Sequence, residues 1–166
     1  MTALSLRVSV AVAGSLLIAC SKDKTPATAD TTASSTIVRD ATDLRSYTLD
    51  MDKMRRYAAA AKLLDEESKQ NPSVVIDVNI GNEPLSESIA TVERNDFVTD
   101  ALKRAGTTPA EFVTTMAAYL QAATASAALD ADTNARIPAS QNAANVEFVR
   151  AHRAEIEKLM SDAGLT

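Results

Sequence analysis

The chain has 166 residues, of which 46% are hydrophobic and 23% charged, and its net charge is −5. At roughly 100–200 residues per domain this is one domain plus its termini, neither a wholly disordered chain nor a multi-span membrane protein. The acidic balance, the 4% aromatic content and the lack of Trp argue against a nucleic-acid surface, which takes a basic stripe and rings for bases to stack on. One Cys cannot close an internal disulfide, and one His cannot build a His-rich zinc site.

Residues 1–20 read MTALSLRVSVAVAGSLLIAC. Arg7 supplies a positive start, and residues 8–19 carry no charge. That run has the length of a signal-peptide apolar region and falls short of the ~20 residues a membrane span needs. A core helix would keep a polar face, and this run offers only Ser9 and Ser15. It closes on Leu17-Ile18-Ala19-Cys20, which resembles the lipobox of bacterial lipoproteins. The resemblance implies a cut between Ala19 and Cys20, fatty acylation of Cys20 (palmitate-type chains), and a lipid bilayer as the first partner. Ile18 departs from the smaller residue usual at that place. Ser21 stands where an Asp would favour retention in the inner membrane of two-membrane bacteria, so the expected location is the cell envelope, at the outer membrane facing the periplasm.

Residues 21–36 contain no Leu, Ile, Val or aromatic side chain. Nothing there offsets the entropy of ordering the chain, so a flexible tether is expected. The resulting division is 1–19 signal peptide, 20–43 lipid-anchored tether and 44–166 helical domain.

Five helices are expected in an all-α bundle. The first spans 50–70, with Met54, Tyr57, Ala58, Ala61 and Leu64 on one face, Thr48 or Asp50 as cap, and Asn71-Pro72 as stop. The second spans 87–94 behind Ser86. The third spans 96–105 behind Asn95, with Val98, Ala101, Leu102 and Ala105 inward and Gly106 past its end. The fourth has the clearest start, Thr108-Pro109-Ala110-Glu111, a capping-box spacing with proline at the first helical position. The fifth spans 146–163 behind Asn145, with Val149, Ile156 and Met160 inward and Gly164 at its end. Residues 73–80, SVVIDVNI, read as a strand when taken alone. Without an obvious partner they are expected to be a buried extended linker. The Ala-rich fourth helix permits close helix approach and also offers a partner-binding face.

The segments RNDFVTDALKRAGTTPAEFVTTMAAYLQA and NVEFVRAHRAEIEKLM are similar to parts of small secreted bacterial proteins with no assigned activity. That likeness supplies no site residue.

Four constellations could carry chemistry, and each has a plainer reading. His152 has one carboxylate at pairing distance, Glu155, and lies among Arg150 and Arg153, as on a solvated face. Asp65-Glu66-Glu67 could hold a cation or be solvated surface near a helix C-terminus. Arg55-Arg56, Lys103-Arg104 and Arg150/Arg153 could meet anionic headgroups or form ordinary surface ion pairs. Residues 130–141 begin Asp-x-Asp-x-Asn like a calcium loop, with Asp130, Asp132 and Asn134 as ligands. They depart at Ala135, Pro138 and Gln141, where Gly, a water-linked ligand and a bidentate Glu belong. Gly-x-Ser-x-Gly and the Gly-rich phosphate loops do not occur. No catalytic, cofactor-binding or metal-binding residue is therefore assigned. The expectation is a non-enzymatic binding or interaction module with an envelope protein partner and no nucleic acid. A small-ligand or cation-binding domain is the alternative, and a carboxylate-based enzyme stands behind it.

Overall fold

The computed structural model describes residues 44–71, 83–132 and 134–165. The expected signal peptide, Cys20, the tether and the 73–80 segment lie outside the described residues. Those described form a helical turn at 44–46 and six helices, with no strand among them. The helices are α1 (Met51–Gln70), α2 (Leu85–Glu93), α3 (Asp96–Arg104), α4 (Pro109–Ala131), α5 (Ala143–Ala151) and α6 (Arg153–Asp162). None is long and apolar enough to cross a membrane. The fold is all-α as expected, with one helix more than the sequence pattern implies.

Local chemistry explains most of the boundaries. Asp50 accepts from the Lys53 amide at 2.8 Å and starts α1, which ends at Asn71 before Pro72. Asn95 accepts from the Val98 amide at 3.3 Å and starts α3. Gly106, at φ +73°, ends α3, and the Thr107 amide reaches back to the Leu102 carbonyl at 3.0 Å. An L side chain disfavours that backbone region, so glycine is the suited residue there. Thr108 accepts from the Glu111 amide at 3.1 Å and starts α4.

Two expected caps are displaced. α2 begins at Leu85 behind Pro84, whose carbonyl receives the Glu87 and Ser88 amides, and Ser86 is exposed rather than capping. The expected fifth helix is two helices that meet at His152 (φ −108°, ψ +17°). Its cap is Asn142, not Asn145, with the Asn142 carboxamide oxygen accepting from the Ala144 and Asn145 amides. No Pro or Gly lies near the interruption. Packing accounts for it, since α5 lies along α4 whereas α6 turns to α1.

α4 touches α1, α2, α3 and α5 and is the hub of the bundle. Its Ala117, Ala118, Ala122 and Ala125 are buried and bring neighbouring helices close. Met54, Leu102, Val113, Val146 and Ile156, each at most 1% exposed, fill the centre with side chains. At roughly 1.5–3 kcal/mol per fully buried side chain, these residues hold the helices together.

Candidate functional site

The residues singled out in the sequence fall on the surface and are mostly paired with one another. Asp130 leaves the end of α4 and meets Arg150 of α5 at 3.4 Å and Arg153 at the start of α6. Arg153 also donates to the buried Ser126 hydroxyl at 2.9 Å. The hydrogen bond from Arg153 is the main reason the Asp130 carboxyl sits below the usual carboxylate range. Ser126, Asp130 and Arg153, with Tyr119, Val149, Ile156 and Glu157, line an open hollow of about 260 Å³. The leading carboxylate of the calcium-like loop is thus occupied by two guanidinium groups. Asp132 instead closes a local turn, accepting from the Asn134 amide at 2.8 Å. Gln141, the twelfth residue of that loop, has its Oε1 buried with no hydrogen-bond partner among the described residues. Among these residues no three His, Cys, Asp or Glu side chains gather as a metal site.

The acidic run at the end of α1 is dispersed rather than convergent. Asp65 pairs with Lys69 at 2.5 Å, and Glu67 pairs with Arg104 of α3. The second pair edges an open hollow of about 520 Å³ beside Phe97, Asp100 and Lys103. The other basic residues take the plainer of their two readings. Arg55 bridges Asp52 and Glu155, joining α1 to α6 at 3.0 Å. Arg56 joins α1 to Glu111 of α4. His152 stacks 4.8 Å from Phe148 and stands 3.6 Å from Glu155, partly exposed.

The arrangement with the most specific geometry was not visible in the sequence. Residues 44–49 lie as a strap where α4, α5 and the first turn of α1 meet. Asn142 donates its Nδ2 to the Arg45 and Tyr47 carbonyls, both at 2.9 Å. Asn145, 2% exposed, accepts from the Leu49 amide at 2.8 Å and donates to the Tyr47 carbonyl at 2.8 Å. The Tyr47 hydroxyl hydrogen-bonds Thr115 of α4 at 2.7 Å, and Thr115 is 1% exposed. The Lys53 ammonium rests 4.7 Å from the centre of the Tyr47 ring. Burial raises the Tyr47 phenol's pKa, and the Thr115 hydrogen bond opposes that rise. Leu44 and Leu49 enter the core on either side of this tyrosine. Apart from Lys53, no local signal betrays the strap, because its hydrogen-bond partners on α4 and at the start of α5 lie 68 to 98 residues away.

Compared with family models, with curated proteins and with solved structures, the chain matches none.

Proposed function

We propose that this chain is an envelope lipoprotein whose helical domain is a non-enzymatic binding module. In this reading the leader is removed before Cys20, acyl chains on Cys20 hold the protein to the outer membrane facing the periplasm, and residues 20–43 are the tether. A single acyl chain binds membranes only marginally, whereas the several chains of the lipoprotein class anchor firmly. The observation that carries the binding role is the side-chain-filled core around Met54, Leu102 and Val146. The hollows at Glu67 and Asp130 are open and edged by paired charges, so recognition falls to the surface.

Metabolic labelling with a fatty-acid analogue tests the anchor. The wild-type chain should label and sediment with membranes, and Cys20→Ser should do neither. An exported wild-type chain that stays unlabelled and soluble would overturn the lipoprotein reading.

A further inference from the structure

We propose that the open hollow between α4 and α6 is a binding site for the C-terminus of a partner protein whose last residue is aliphatic and whose terminal carboxylate is free. The inference deepens the binding-module reading and rests on it.

α4 and α6 both pack on α5, and the hollow lies between them. Its floor is apolar. Val149 and Ile156 are buried residues that border it, and Ala123 and Ala127 line its α4 side. The small alanine side chains leave the space open. At about 260 Å³ the hollow falls below the roughly 300–1,000 Å³ of sites that enclose a small-molecule ligand. It suits one aliphatic residue, with the rest of the chain leaving through the open side.

The polar groups around this floor divide into donors and an acceptor. Arg153 makes its hydrogen bonds from Nη2, to Asp130 and Ser126. The donors on Nε and Nη1 have no partner among the described residues. Ser126 is 2% exposed and borders the hollow. Its oxygen accepts from Arg153, while its own hydroxyl hydrogen has no acceptor among the described residues. Polar groups this buried take partners, so an oxygen arriving beside Ser126 and Arg153 gains bonds from both. Glu157 supplies the acceptor, and its charge is felt by both Tyr119 and Arg153.

A carboxylate, an N–H and an aliphatic side chain together are the last residue of a peptide. The carboxylate meets Arg153 and Ser126, the N–H faces Glu157, and the side chain lies on Ala123, Ala127 and Ile156. A fatty acid has no N–H to offer Glu157. Asp130 keeps Arg150 and Arg153 throughout, so no part of the fold has to leave to admit the ligand.

The test uses the full chain in detergent and a fluorescent pentapeptide ending in leucine, read by anisotropy, with circular dichroism of every variant. The free-carboxylate peptide should bind with a Kd between about 10 μM and 1 mM. Its C-terminal amide should bind at least about tenfold more weakly, the scale of one charge-assisted hydrogen bond. Ala127 is exposed, and leucine is nearly as good a helix former, so Ala127→Leu should fill the hollow and abolish binding with helicity unchanged. Arg153→Lys keeps a cation beside Asp130 but loses the planar fan of donors, and should weaken binding about tenfold. No binding up to about 1 mM, or binding indifferent to the amide or to Ala127→Leu, overturns the site. Unlabelled leucine that competes as well as the unlabelled peptide would make the ligand a free amino acid and overturn the partner assignment. The assay needs no lipid on Cys20, so its failure and a failure of the labelling are read separately.

Discussion

The starts of α4 and α5 solve the same problem in different ways. Both helices leave amides without intrahelical partners, and both begin behind a side chain whose oxygen satisfies them. Thr108 has little else to offer. Its hydroxyl faces the Glu111 amide, and proline follows at the next position. Asn142 caps with one end of its carboxamide and holds the Arg45 and Tyr47 carbonyls with the other. One cap is local. The other is a joint between a helix and a stretch of chain about a hundred residues earlier. The two starts should therefore respond to mutation on different scales.

The largest effect is expected at the joint. Asn145→Ala leaves the buried Leu49 amide without its partner and takes one of two donors from the Tyr47 carbonyl, which keeps Asn142, and should cost about 2–4 kcal/mol in urea denaturation, since an orphaned buried group costs roughly 1–3 kcal/mol and a lost hydrogen bond about 1 kcal/mol more. A loss under about 1 kcal/mol would mean that water replaces the amide and the joint is loose.

That contrast also marks what the sequence could disclose. The starts of α1, α3 and α4 are legible because cap and amide lie three residues apart. Asn145 has the same look, an Asn before a periodic apolar run, and in the sequence it reads as a cap. In the fold it is fully enclosed and faces the strap, three residues into the helix that Asn142 caps. Composition cannot separate these roles, because the deciding partner is distant. The interruption at His152 is hidden for a related reason. Val146, Val149, Ile156 and Met160 keep one continuous helical spacing across it, and only the turn of α6 toward α1 reveals the change of direction. The ion pairs follow the plainer expectation, since Arg55, Arg56, Arg104, Arg150 and Arg153 all meet carboxylates. Which carboxylates they meet was not legible, since most belong to another helix.

An intermediate effect, confined to the helical body, comes from alkaline pH. Tyr57 of α1 is buried against Phe112 of α4, with ring centres 5.2 Å apart. Burial holds its phenol up to about 12, against an ordinary value of 10.0. Below pH 10 both folded and unfolded chains keep this proton, and the full stabilisation is present. Between pH 10 and pH 12 the unfolded chain gives it up while the folded chain retains it, so stability falls. At 1.36 kcal/mol per unit the loss should approach about 2–3 kcal/mol by pH 12. Urea midpoints measured from pH 9 to pH 12 should fall less steeply in Tyr57→Phe than in the wild type. Equal slopes would place the phenol in water and the body in a looser state than described. Tyr47 and Tyr119 are also raised by burial, so a residual slope should survive in the variant.

The smallest effect belongs to the local cap. Thr108→Ala removes the acceptor for the Glu111 amide and should cost about 1 kcal/mol, while Thr108→Ser should be close to neutral because serine offers the same oxygen. The capping-box spacing suggests a reciprocal bond from the Glu111 carboxylate back to the start of the helix. The carboxylate goes instead to Arg56 of α1, where it accepts from Nε at 3.0 Å. The two residues therefore serve different partners, and their substitutions should add. In a double-mutant cycle of Thr108→Ala with Glu111→Ala, the coupling should stay below about 0.5 kcal/mol, the scatter expected of independent sites. A coupling of about 1 kcal/mol or more would show a closed box in solution, with Arg56 released. The start of α4 would then be wholly local, in still sharper contrast to the shared joint at Asn142.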